Sequence, residues 1–154
     1  MANYVTVSDV DAFANQYGDT WSGDTSDKQA AIDRAQAYLD SLKWIGRKTG
    51  GRSQSEAWPR EAAFDVDGFE IADDEIPIEV IYAASVFSIV ELATPNTLTP
   101  TVTLNQIAVR EKVGDIEVEY SKTAGINSAR PQITRALDYI KPLLIGETQF
   151  LARA

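Results

Sequence analysis

The chain has 154 residues, 44% of them hydrophobic, with a mean hydropathy of -0.20 and a formal charge of -9, which is enough for one packed core; a single domain over 1–145 and a tail over 146–154 are expected. Cysteine and histidine are both absent, which excludes disulfides, thiolate chemistry and the commonest general base and zinc ligand, so no catalytic, cofactor or metal site and no enzyme activity are expected. The acidic surplus is local: residues 61–100 hold nine acids and no base, whereas 42–60, LKWIGRKTGGRSQSEAWPR, carries Lys43, Arg47, Lys48, Arg52 and Arg60 against Glu56 alone.

The opening MANYVTVSDVDAF is polar and acidic. It lacks the basic and apolar regions of a signal peptide, so synthesis in a cytoplasm is expected. Ser8 is the expected N-cap of a first helix, Val10 to about Tyr17, with Asp9 and Asp11 where the helix dipole favours negative charge and Gly18 as the stop. A longer helix is expected from after Thr25-Ser26 to about Leu42, with Ile32, Ala35, Leu39 and Leu42 along one stripe. From Lys43 to Asp74 no helical period survives, and Gly, Ser, Arg and aromatic residues predict a long ordered loop anchored by Trp44 and Trp58.

FDVDGFEI, residues 64–71, invites two sharper interpretations. As a calcium loop it would need an acid where Ala63 stands and a glutamate where Asp74 stands. As a hairpin it would set Asp65 against Glu70, a like-charge pair. A surface turn is the plainer expectation. Pro77 then opens a helix, IPIEVIYAASVFSIVELA, running to Ala93 and apolar nearly all round; Glu79, Tyr82, Ser85, Ser88 and Glu91 form a narrow polar stripe on it. Two glutamates in so short a run argue against a membrane span. Pro95 and Pro100 bracket a stiff connector.

Residues 109–122, VREKVGDIEVEYSK, fall into register about a Gly114-Asp115 turn: Val113 faces Ile116, Lys112 faces Glu117, Glu111 faces Val118, Arg110 faces Glu119 and Val109 faces Tyr120. Alternation puts Val109, Val113, Ile116, Val118 and Tyr120 on one face, and the opposite-charge pairs on the other. A lone hairpin is marginal in water, so that apolar face calls for cover. A last helix is expected after Asn127-Ser128, with Ile133, Ala136, Leu137, Ile140 and Leu144 on one stripe and Pro142 thinning its end. The predicted fold is therefore mainly α, a small bundle of about four helices with a protruding two-stranded hairpin at about 107–122 and a C-terminal tail.

The order of motifs resembles a known family. Tyr4 to Phe13 fits Y-x-T-V-x-D-x-D-A-F, Leu39 to Arg47 fits LD-x-L-x-W-x-G-R, and AWPR follows at 57–60. A DxDG turn at 65–68, an IP helix start at 76–80, REKVG-x-I-EVEY at 110–120 and PLL at 142–144 complete a likeness that spans nearly the whole chain. It is similar to the tailed-bacteriophage family labelled both DnaT-like single-stranded-DNA-binding proteins and head-tail adaptor (connector) proteins. The adaptor label implies a virion neck protein assembled in the host cytoplasm as a homo-oligomeric ring of about twelve copies. Portal and tail or neck proteins would be its partners, double-stranded DNA would pass through it without sequence-specific binding, and no membrane would be involved. On that expectation Arg110, Lys112, Glu117, Val118, Glu119 and Tyr120, with Phe150 and Leu151 of the tail, make subunit or partner contacts. Trp44, Arg47, Arg52, Trp58 and Arg60 are then loop anchors, with Arg60 paired to carboxylates of the acidic strip. The other label implies that the same five residues contact single-stranded DNA, the tryptophans stacking on bases and the arginines neutralising phosphates. The low isoelectric point, about 4.4, favours the adaptor.

Overall fold

The computed structural model describes residues 3–100, 110–113, 116–119 and 133–146, with the backbone alone for 110–113 and 116–119. Helix α1, Val7–Tyr17, starts earlier than Ser8 suggests. Thr6 is its cap: the Thr6 hydroxyl accepts from the Asp9 N–H at 3.2 Å, and the Asp9 carboxylate accepts from the Thr6 N–H at 2.8 Å. Two end-of-helix donors are satisfied reciprocally, which a cap at Ser8 would forgo. Gly18 ends the helix in the left-handed conformation, φ 72, where a side chain would be strained.

Helix α2, Thr25–Asp40, has Asp24 at its N-cap position without a side-chain capping bond and stops before Leu42. Helix α3, Ile78–Ala93, begins directly after Pro77, as expected. Helix α4, Thr134–Ile140, has Ile133 at its cap and tightens into a 3₁₀ turn, Lys141–Leu143, at Pro142. The expected caps Asn127 and Ser128 lie outside the described residues, as does the tail from 147. The architecture is mainly α with a small β-hairpin.

Helix α3 is the central element and packs on α1, α2 and α4. Ala31 and Ala35 of α2 and Ala83 and Ala84 of α3 are buried, so short side chains let these backbones approach. Val10, Phe13, Ile32, Leu39, Val80, Phe87, Ala136 and Ile140 fill the space between. The polar stripe of α3 turns inward at its C-terminal half. The Ser85 and Ser88 hydroxyls donate to the carbonyls of Ile81 and Ala84, at 2.9 and 2.6 Å. Glu91 is fully buried and accepts from Arg34 Nε at 2.7 Å and from the N–H groups of Asn96 and Leu98, both at 2.8 Å. A buried carboxylate is tolerated because its lone pairs are met, and it ties the connector after α3 back to α2.

Strands β3, Arg110–Val113, and β4, Ile116–Glu119, pair antiparallel in the expected register: Arg110 opposite Glu119, Glu111 opposite Val118, Lys112 opposite Glu117 and Val113 opposite Ile116. The fifth pair, Val109 with Tyr120, lies outside the described residues. None of the described helices is long and apolar enough to cross a membrane.

The segment after α2 is more regular than a loop. Strand β1, Arg47–Lys48, pairs antiparallel with β2, Arg60–Glu61, and a 3₁₀ turn, Gly51–Ser53, lies between them. Its start is closed by the chain after α4: Ile45 N–H donates to Leu143 O and Ile145 N–H to Lys43 O, each at 3.0 Å.

Candidate functional site

The basic segment is held from beneath by its two tryptophans. Trp44 and Trp58 are buried and meet edge to face, ring centres 5.6 Å apart. Trp44 Nε1 donates to Leu39 O at 2.8 Å. The Tyr4 hydroxyl donates to the Asp40 carboxylate and accepts from Trp58 N–H at 3.1 Å, while Ala57 N–H donates to Asp40 at 2.8 Å. Burial, reinforced by the Asp40 carboxylate, pushes the Tyr4 phenol far above its ordinary value, so it stays a neutral donor. Both tryptophans are buried beneath the segment, and neither offers a face to a base.

Gly46 and Arg60 fix the ribbon above them. Gly46 has φ 67, and a Cβ there would lie 2.5 Å from Glu61 O, so only glycine lets β1 close on β2. Arg60 does not pair with the acidic strip. Its guanidinium donates through Nε to Ile45 O at 2.6 Å, through Nη1 to Ala57 O at 3.0 Å and through Nη2 to Gly46 O at 2.9 Å. The fold converges three carbonyls on a fan of donors, which a carboxylate contact would leave unmet. Burial lowers its pKa, and those carbonyls stand in for the water it loses. Lys48 Nζ donates to Gln54 O at 2.8 Å, and Gln54 in turn bridges Gly50 N–H and Pro59 O. Arg60 and Lys48 are thus structural.

Lys43, Arg47 and Arg52 remain directed outward. The Arg47 side chain is 79% exposed and ion-paired with Glu61. Arg47, Lys48, Thr49, Gly51 and Arg52, with Glu61, line a shallow depression. Thr49 Oγ1, just after β1, donates to Asp73 O at 2.7 Å, tying the end of the basic strand to the chain two residues beyond the turn at 64–71.

That turn is a surface feature, as expected. Asp65 Oδ1 accepts from the N–H groups of Asp67 and Phe69, at 2.9 and 2.8 Å, and Phe64, not Asp65, lies opposite Glu70. The like-charge pairing is avoided because Asp65 caps its own turn. Among the described residues no group of acids is arranged to hold a metal ion. Phe64, Val66 and Phe69 are exposed, by 48%, 76% and 72%. Sequence reasoning passed over them; the available signal was three large apolar residues alternating with acids about Asp67-Gly68, too tight a turn to bury them.

The side chains of Arg110, Lys112, Glu117, Val118 and Glu119, and the whole of Tyr120, Phe150 and Leu151, lie outside the described residues. A family model described as "Putative DnaT-like ssDNA binding protein" matches residues 2–154. No curated protein and no solved structure matches. The match corrects the expectation of a virion head-tail connector, with portal and tail proteins as partners and duplex DNA passing without sequence-specific binding. The family is described by single-stranded DNA, and the acidic isoelectric point that favoured a repelling channel averages over a chain in which Lys43, Arg47 and Arg52 stand exposed together on one short segment.

Proposed function

Because the chain belongs to the family of DnaT-like ssDNA-binding proteins, we propose that it binds single-stranded DNA and acts by binding alone, with Arg47 and Arg52 neutralising phosphates. The match along residues 2–154 carries this proposal, and the basic ribbon supports it. Tyr4, Asp40, Trp44, Trp58 and Arg60 build a rigid support from which Arg47 and Arg52 face water. The pair between Arg47 and Glu61 is no obstacle, since an exposed ion pair is worth at most about 1 kcal/mol and a phosphate replaces it readily. Few phosphates are met, so binding is weak, salt-sensitive and tolerant of sequence.

Titrating the protein into a labelled oligo-dT at several salt concentrations tests this. Each phosphate contact contributes about -0.7 to the slope of log affinity against log salt for a single strand. Arg47→Gln and Arg52→Gln should each flatten the slope by about that amount while the far-UV circular dichroism stays unchanged. A slope indifferent to both changes would remove the ribbon from the interface.

A further inference from the structure

Single-strand binders combine cations for the backbone with aromatic faces on which bases stack. With Trp44 and Trp58 buried, that aromatic face must come from elsewhere. Among the described residues three aromatic side chains are prominently exposed: Tyr17, Phe64 and Phe69. Tyr17 is already occupied. Phe13 lies 4.5 Å from it, ring centre to ring centre, and the Arg135 guanidinium sits 4.9 Å over it, held there by Asp19 at 2.8 Å.

Phe64 and Phe69 are differently placed. They flank a turn whose backbone is fixed by two hydrogen bonds to Asp65, so the backbone that carries the rings loses little freedom on binding. The turn follows β2 directly, and β2 lies against β1, which carries Arg47. The Thr49 hydroxyl, on the residue after β1, donates to Asp73 O, two residues beyond the turn, and so ties the end of the basic strand to the chain leaving the turn. Arginines for phosphates and phenyl rings for bases are thereby mounted on one braced unit. Asp67 and Glu70, exposed beside the rings, oppose the phosphates and keep the affinity low.

We propose that Phe64 and Phe69 are the base-stacking platform of this protein, taking unpaired bases of a strand whose phosphates run past Arg47 and Arg52. This rests on the single-strand-binding function above and assigns its second half. The test compares oligo-dT of about twenty nucleotides with an abasic strand of the same length, which keeps the phosphates and lacks the stacking partners. The parent protein should prefer oligo-dT, and Phe69→Leu and Phe64→Leu, which keep bulk but lose the ring, should each weaken oligo-dT binding at least about fivefold while leaving abasic binding and the salt slope unchanged. Val66→Ala, in the same turn, should change neither. Phe69→Trp should restore the preference and give a fluorophore quenched by oligo-dT, which reports stacking even if a leucine variant folds poorly. Equal affinities for the two strands, or leucine variants indistinguishable from the parent while Arg47→Gln still weakens both, would overturn the platform and leave single-strand binding standing. Failure of the parent to bind either strand would overturn both.

Discussion

Arg60 and Arg52 separate support from contact within one short segment, and Arg60→Met makes the distinction measurable. Methionine keeps much of the stem and deletes the fan of donors. Two of the three carbonyls that Arg60 meets, those of Ile45 and Ala57, are partly buried, and that of Gly46 is exposed. Water can replace the exposed bond. The other two are charge-assisted and worth about 1.5 kcal/mol or more each, so a loss of roughly 3 kcal/mol is expected. At about 2–4 °C per kcal/mol for a chain of this size, the midpoint should fall by roughly 6–12 °C. Urea unfolding followed by far-UV circular dichroism and by tryptophan emission measures the free-energy loss directly, because Trp58 lies two residues away in the core, and a thermal melt reads the midpoint. Arg60→Lys should fall between, since one ammonium cannot span all three carbonyls. A variant as stable as the parent, with a flattened salt slope for oligo-dT, would show that Arg60 faces phosphate and that the support has been misassigned.

Glu91→Gln should cost about 3 kcal/mol, because it leaves the Arg34 guanidinium against a neutral amide and puts an amide donor near the N–H groups of Asn96 and Leu98; urea unfolding checks it. Thr6→Ala should cost about 1 kcal/mol at neutral pH. The Asp9 carboxyl is held below its ordinary range by the Thr6 N–H and then the Thr6 hydroxyl. A depressed carboxyl stabilises above its unfolded pKa and loses that contribution as pH falls through its folded value, so the gap between Thr6→Ala and parent should narrow on acidification. A gap constant across that range in thermal melts would place the loss elsewhere.

Where a local pattern determined the geometry, the sequence was a good guide. The register of β3 and β4 followed from a glycine-first turn and two opposite-charge pairs, both short-range signals. Helix α3, directly after Pro77, followed from a proline suited to a helix start and from the run apolar nearly all round to Ala93. The start of α1 was missed because Thr6 and Ser8 are both capping residues, and only the reciprocal Thr6–Asp9 bonds decide between them. Strands β1 and β2 hold two residues each, too few to show alternation. Arg60 was sent to carboxylates because a sequence displays charges, whereas carbonyls converging from residues 45, 46 and 57 leave no trace in residue type. The motif residues Trp44, Gly46, Trp58 and Arg60 carried the resemblance yet proved to be the brace of the candidate site, while Phe64 and Phe69 stood in a segment expected to be a plain surface turn, its rings given no role.

Equilibrium binding of the full chain to oligo-dT, competed with unlabelled single strand or with duplex of the same length near physiological salt, tests the proposed function most directly. Single strand should displace the label at far lower concentration than duplex, because a duplex hides its base faces, and the affinity should fall as salt rises. No saturable binding at low salt, or displacement by duplex as effective as by single strand, would contradict it.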